Sequence, residues 1–241
     1  MFTETEAFYD RFYAAKGKDY DAESAKVLDF IEARRKGAGP LRSLLDVACG
    51  TGQHLSRFER RIESVAGVDL DPKMIEVARA RAPRAEFRVG DMRDFDFDGR
   101  TFDAVTCLFS SIGYLLSNEA LEDAIATMAR HLAPGGVLVV EPWIAPDQYK
   151  EGGVYSIFID DADFKAARLT TTERDGRTSI LHFHYLIGTA EDGVKYLTER
   201  HVSTLFTRAE HEAAFRAAGL EVEYDEEGLI GRGLYLATKA D

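Results

Sequence analysis

Apolar runs alternate with helically spaced segments through most of the chain. Leu44-Leu45-Asp46-Val47 is an apolar run interrupted by one acid, the pattern of a strand buried on both faces. Ala48-Cys49-Gly50-Thr51-Gly52 follows at once, and the segment from Gln53 to Phe58 can start a helix. Further apolar runs at 64–69, 85–89, 100–109 and 137–143 predict strands two to five. Asp71-Pro72 reads as a helix start, with Asp71 as the cap and Pro72 in the first turn. Another helix is expected to reach about Leu132 and to stop at Pro134-Gly135-Gly136. Strand and helix in alternation predict a parallel sheet covered on both faces.

Both flanks of this pattern differ from it. Residues 1–35 read as helical, with aromatics at helical spacing from Phe8 to Tyr13 and a break at Gly17-Lys18-Asp19-Tyr20. The segment from Arg35 to Pro40 reads as a linker. Between residues 144 and 206 the period changes to two, as in Leu181-His182-Phe183-His184-Tyr185. Strands are expected at 153–159, 166–173, 177–189 and 194–205, with Asp175-Gly176 as a hairpin turn. This is read as an antiparallel meander inserted after strand five, roofing the site. A helix at 208–218 and strands at 220–224 and 233–238 close the fold. The expected domains are a Rossmann-like core of 1–143 and 207–241, with 1–35 as a helical lid, and an inserted subdomain of 144–206.

The glycine turn is the first candidate for chemistry. Gly-Thr-Gly after a buried strand lets a ligand approach the backbone. A dinucleotide fingerprint needs a third glycine where this chain has Leu55, and Asp46 inside the motif would repel a pyrophosphate. An acid there suits a cationic ligand instead. Asp69 ends the second strand about twenty residues on, where an acid holds ribose hydroxyls. Gly90-Asp91-Met92 places a third acid after the third strand.

Composition narrows the partners. A net charge of −12 over 241 residues argues against DNA, RNA or an anionic membrane. The two cysteines, Cys49 and Cys107, lie in apolar stretches and read as core residues of a reduced compartment. With no signal peptide or bilayer-length apolar run, a cytoplasmic protein is expected. His182 and His184 alternate on one strand, yet no third ligand stands at metal spacing, so no metal is expected. His54, His131 and His211 read as ordinary helix residues.

Asp46-x-x-x-Gly50-x-Gly52 with Asp69 and Asp91 resembles the S-adenosylmethionine-dependent methyltransferases. More specific segments run in order along the chain: Gly17-Lys18-Asp19-Tyr20, Asp91-Met92-Arg93-Asp94-Phe95, Phe109-Ser110-Ser111-Ile112-Gly113-Tyr114, Glu141-Pro142-Trp143 and Gly231-Arg232-Gly233. Together they resemble the N,N-dimethyltransferases of nucleotide-linked (dTDP) amino sugars, of the desosamine and mycaminose type. The resemblance implies an α/β class I methyltransferase fold: a seven-stranded, mostly parallel sheet with an inserted antiparallel sheet. It implies S-adenosylmethionine as cofactor, with Tyr13, Tyr20, Asp46, Ala48, Gly50, Gly52, Asp69, Leu70, Asp91, Met92 and Phe109 as its candidate contacts. Tyr9, Ser111, Tyr114, Trp143 and Arg232 are candidate substrate residues. Tyr114, Glu141 and His201 are the catalytic candidates, Tyr114 for the amine proton and Glu141 for electrostatic hold on the amine. Arg232 would fork onto a diphosphate. Two alternatives stand beside this reading: methylation of a small free amine or natural-product hydroxyl, and a cofactor-binding regulatory module. A homodimer is allowed.

Overall fold

The computed structural model describes residues 8–36 and 39–240 and divides into two compact units. Gly37 and Ala38 of the expected linker, and the first seven residues of the expected N-terminal helix, lie outside the described residues.

The larger unit, Tyr20–Ala145 with Phe206–Asp241, holds a seven-stranded sheet. In chain order its strands are β1 (Ser43–Val47), β2 (Ser64–Asp69), β3 (Glu86–Val89), β4 (Phe102–Cys107), β5 (Leu132–Val140), β10 (Leu220–Asp225) and β11 (Leu234–Lys239). Their spatial order is β10-β11-β5-β4-β1-β2-β3. All neighbours pair in parallel except β11, which runs antiparallel to both β5 and β10.

Successive strand residues face opposite layers. Leu45, Val47, Val105, Cys107 and Val140 join Leu121, Ile125 and Met128 of α5 (Asn118–Arg130) and Phe215 of α6 (Arg208–Ala217). Leu44, Ala104, Val137 and Val139 join Val27, Leu28 and Ile31 of α2 (Tyr20–Arg34) and Ile75 of α4 (Pro72–Arg81). A continuous apolar run is therefore what a central strand needs.

Helix starts follow local polar chemistry. The Asp71 carboxylate accepts the Lys73 N–H at 2.9 Å, and Pro72 begins α4 as expected. The Ser117 hydroxyl accepts from Ala120 at the start of α5. Thr207 and Glu210 form a reciprocal capping box on α6.

The smaller unit runs up to Asp19 and over Pro146–Leu205. Its antiparallel sheet is a meander of β6 (Val154–Asp160), β7 (Phe164–Asp175), β8 (Thr178–Thr189) and β9 (Gly193–Thr204). Helix α1 (Tyr9–Ala15) belongs to this unit: Phe12 lies edge-on to Tyr185 at 5.3 Å, and Phe8 stacks on Phe164 at 5.2 Å. The single 1–35 lid therefore separates into α1 with the meander and α2 with the core.

Three expected boundaries move. Helix α5 ends at Arg130, and β5 already begins at Leu132. Leu132 pairs with Phe102, and a register shift then absorbs Pro134-Gly135-Gly136, so those residues bulge a strand rather than stop a helix. Strands four and five end at Cys107 and Val140, short of the expected 109 and 143. The helix after the glycine turn is one turn only, α3 (Leu55–Phe58).

Candidate methyl-transfer site

The carboxyl ends of β1, β2, β3 and β4 lie side by side in the larger unit, and the chain leaves β1 and β4 in left-handed turns. Ala48 (φ 55°), Gly50 (φ 54°) and Gly52 (φ 73°) all adopt left-handed backbone after β1. A non-glycine residue in that region costs energy and marks a constrained site. A Cβ on Gly52 would sit 3.0 Å from the Ala78 Cβ, whereas one on Gly50 would meet no protein atom within 4 Å. The first glycine lets α4 pack close, and the second leaves open space beside the backbone.

Three acids stand around this turn. Asp46 is 2% exposed and accepts a 2.7 Å hydrogen bond from the Thr106 hydroxyl of β4. Burial pushes its carboxyl up to about 7; the Thr106 bond opposes this, and the nearby Asp69 charge adds to it. The Asp69 carboxylate accepts from the N–H of Gly50 (2.8 Å) and of Asp71 (2.9 Å), locking the glycine turn to the start of α4. Burial raises its pKa too, against those two N–H donors. Asp91 is gripped by Arg93, whose Nε and Nη2 donate at 3.0 and 2.6 Å and hold its pKa down. Leu70 and Val89, just past or at the ends of β2 and β3, are 49% and 54% exposed, an apolar surface beside the acids. Met92 is partly buried against the core.

On the other side of β1 the turn after β4 is built across long sequence distances. Phe109 (φ 56°) and Ser110 (φ 62°) are both left-handed. The Glu141 carboxylate accepts the Phe109 N–H at 2.6 Å, and the Ser110 hydroxyl donates to the Pro142 carbonyl at 2.7 Å. Arg232 Nη1 donates to the Ser110 hydroxyl at 3.0 Å, and its guanidinium lies 4.9 Å from the centre of the Trp143 ring. Arg232 and Trp143, distant in sequence, are thus brought together. The Ser111 hydroxyl instead donates to Leu108, and Tyr114 ends a short 3-10 helix, 43% exposed. Glu141 is fully buried, so its carboxylate braces the Phe109 turn and does not present a charge to an amine.

Tyr20 is buried edge-on to His54, whose Nε2 lies 3.0 Å from the buried Glu23 carboxylate. His54 therefore ties α2 to the turn before α3 rather than acting as an ordinary helix residue. His131 Nδ1 donates to the Thr127 carbonyl, and Nε2 accepts the Phe97 N–H.

The smaller unit carries the other candidates. Tyr9 and Tyr13 pack ring to ring at 4.7 Å on α1. His201 is 2% exposed, with Nε2 3.2 Å from Glu199, which also accepts from the Tyr185 hydroxyl at 3.1 Å. Burial lowers the His201 pKa. Buried Arg168 lies over the rings of Phe12, Tyr13 and Phe183.

Residues 44–136 match the family model described as a methyltransferase domain. The dTDP-3-amino-3,4,6-trideoxy-alpha-D-glucopyranose N,N-dimethyltransferase of Streptomyces venezuelae is 44% identical, over 96% of this chain and 96% of its own. The chain belongs to the dTDP-amino-sugar N,N-dimethyltransferases. A second member, the dTDP-3-amino-3,6-dideoxy-alpha-D-glucopyranose N,N-dimethyltransferase of Streptomyces fradiae, is 41% identical over 94% of this chain and 88% of its own. The structure of CalS10, an amino pentose methyltransferase of Micromonospora echinaspora with S-adenosylmethionine bound, superposes with a TM-score of 0.88 at 40% identity. That match covers 100% of this chain and 98% of the other. As an N,N-dimethyltransferase of this family, the chain is an S-adenosylmethionine-dependent N-methyltransferase. The residues fit that cofactor: open space at Gly50, a buried acid at Asp46 and exposed apolar side chains at Leu70 and Val89.

Sequence reasoning missed Ser110, which links Arg232 to the Pro142 carbonyl, and the brace at Glu141. The consecutive serines after an apolar strand were the available signal. Neither partner was within reach of a local pattern, since Ser110 and Arg232 are 122 positions apart.

Proposed function

We propose that the chain transfers methyl groups, twice in succession, to the amino group of a dTDP-linked 3-amino deoxyhexose. The observation that carries this reading is the Arg232–Ser110–Trp143 constellation in a chain 44% identical, end to end, to an enzyme named for such a substrate. The second relative, at 41%, is also named for a 3-amino sugar.

Bound cofactor supplies an electrophilic methyl on a sulfonium that needs no acid to leave. The remaining work is alignment, exclusion of water and handling of one proton. Asp46 complements cationic charge from within the β1 end, and Asp69 offers its carboxylate to ribose hydroxyls while holding the Gly50 turn. Leu70 and Met92 line the adenine side. Asp91, released from Arg93 or shared with it, accepts from the adenine amine. Ala48, Gly52, Phe109 and Tyr20 complete the cofactor contacts within the larger unit. Arg232 grips the diphosphate, stiffened by Ser110 and backed by the Trp143 ring.

An amine accepts methyl only through its free lone pair, so an ammonium must first lose a proton. Tyr114, exposed at the end of its 3-10 helix, is the group that orients the nitrogen or takes that proton. Ser111 completes the sugar side within the larger unit.

The test is turnover on an acceptor panel: dTDP-3-amino sugars, dTDP-4-amino sugars, free small amines and hydroxyl acceptors. Mono- and dimethylated dTDP-3-amino product by mass spectrometry is the expected result. Preference for free amines or hydroxyls would overturn the nucleotide-sugar reading. Tight cofactor binding with no product from any acceptor would favour a regulatory module.

A further inference from the structure

The Asp91 carboxylate, in the turn after β3, takes all its hydrogen bonds among the described residues from Arg93. Oδ1 accepts the Arg93 backbone N–H at 2.9 Å and Nε at 3.0 Å, and Oδ2 accepts Nη2 at 2.6 Å. A carboxylate has about four lone-pair sites, two on each oxygen. Oδ1 is therefore filled, and one site is left, on Oδ2. The fork also fixes the plane of the carboxylate, because a guanidinium and a carboxylate pair edge to edge. The backbone beneath this clamp is anchored from the core. The Arg93 carbonyl accepts the hydroxyl of Thr127, a fully buried residue of α5, at 2.7 Å. The Asp94 N–H donates to the Asp91 carbonyl at 3.0 Å and closes the turn, while Met92 packs against the core between acid and cation. The Arg93 side chain itself is 52% exposed, and an exposed ion pair adds little to stability. Its fixed geometry therefore acts on the carboxylate more than on the fold.

We propose that Arg93 is a positioning residue that makes the cofactor site specific for a 6-aminopurine over a 6-oxopurine. The inference rests on the reading of Asp91 as acceptor for the adenine amine. Adenine presents an exocyclic N–H donor beside N1, an acceptor. Hypoxanthine reverses the pair, with an oxygen acceptor beside an N1–H donor. A carboxylate free to turn would accept from either donor. One with a single open site, in a plane set by the fork, accepts from the 6-amino group. It meets a 6-oxo group with repulsion, and it has no freedom to turn to the neighbouring N1–H. The Arg93 charge supports this by holding Asp91 ionised, so that the group is an acceptor only.

The experiment is calorimetry with S-adenosylhomocysteine and S-inosylhomocysteine on the wild type, Arg93→Ala, Arg93→Lys, Asp91→Ala and the Asp91→Ala, Arg93→Ala double variant. Arg93→Ala is expected to bind S-adenosylhomocysteine roughly 3–10-fold less tightly and to lose about tenfold of the wild-type preference over the inosyl form. Its melting temperature, and its kcat at saturating S-adenosylmethionine, should stay near wild type. Arg93→Lys keeps the charge without the planar fork, so it should recover part of the affinity and little of the preference. In the Asp91→Ala background, Arg93→Ala should change neither affinity further. A wild-type preference in Arg93→Ala overturns the inference, as does an equal loss with and without Asp91. Asp91→Ala with wild-type affinity for S-adenosylhomocysteine would remove Asp91 from the cofactor site, and the inference with it. Loss of affinity in Asp91→Ala beside none in Arg93→Ala would overturn the inference and leave the Asp91 reading standing.

Discussion

Replacing Asp46 by Asn should stabilise the cofactor-free protein, by an amount that grows as pH rises from about 4 to about 7 and is full above that. The Asp46 carboxyl titrates near 7 in the fold and near 3.8 when exposed, chiefly because burial penalises its charge. An acid raised in this way binds more protons folded than unfolded between those values, so stability falls as pH rises from about 4 to about 7. At about 1.4 kcal/mol per unit, roughly three units amount to a cost on the order of 4 kcal/mol once Asp46 is ionised. Asparagine keeps the acceptor for the Thr106 hydroxyl and removes the charge. For a chain of this size ~2–4 °C per kcal/mol applies, so the variant should melt roughly 8–16 °C above wild type at about pH 8, less whatever structural relaxation returns. Near pH 4, where Asp46 is protonated in the fold and close to half protonated in the unfolded chain, the difference should shrink towards zero. Differential scanning fluorimetry of both proteins at both pH values measures this. S-adenosylmethionine should then raise the wild-type melting temperature at about pH 8 far more than that of the variant, because only wild type gains a counter-charge. A variant no more stable than wild type at about pH 8, or an equal difference at both pH values, would refute the argument.

Arg232→Ala should weaken dTDP-sugar binding by about 1.5–3 kcal/mol in calorimetry while leaving cofactor affinity nearly unchanged, and Arg232→Lys should recover only part of it. Tyr114→Phe should lower kcat roughly 10–100-fold with little change in KM, and higher pH should restore part of the loss by deprotonating the amine; wild-type kcat across pH would leave the hydroxyl without a role. His211 is buried against Phe206 and Tyr235, and burial depresses its pKa to about 4. The unfolded chain therefore takes up its proton first, and stability is lost as pH falls from about 6.5 to about 4. His211→Phe should flatten that part of the melting-temperature profile.

The sequence showed the sheet and the acids at its strand ends well, because local rules govern them. The strict alternation of β6 to β9 placed their ends within a residue or two, and Asp71-Pro72 could only open a helix. The β5 start was misread because Pro134-Gly135-Gly136 has the same local chemistry in a bulge as at a helix end. Only pairing of Leu132 with Phe102, thirty positions earlier, decides between them. The division of residues 1–35 between two units escaped for a similar reason: Phe12 declares nothing about which apolar face it will meet. That Asp46, Asp69 and Asp91 stand at or just after the carboxyl ends of strands was legible from spacing, but the Arg93 grip on Asp91 and the Glu141 brace depend on side-chain reach. The positive φ of Phe109 and Ser110 has no signature in residues that rarely adopt it.

Strand β11 follows every other strand of its sheet in the chain, yet it lies inside the sheet, between β5 and β10. During synthesis the residues of the Asp46 turn emerge long before the edge of β5 can be closed. Until Leu234–Lys239 leaves the ribosome, the apolar stretch 137–140 has an unpaired flank open to other nascent chains. Arg232 enters with the same final segment. A chain ending before Arg232 would keep Asp46, Asp69 and Asp91 and lose both the guanidinium bonded to Ser110 and the closure of its sheet, so premature termination yields a sticky product rather than a merely weakened one.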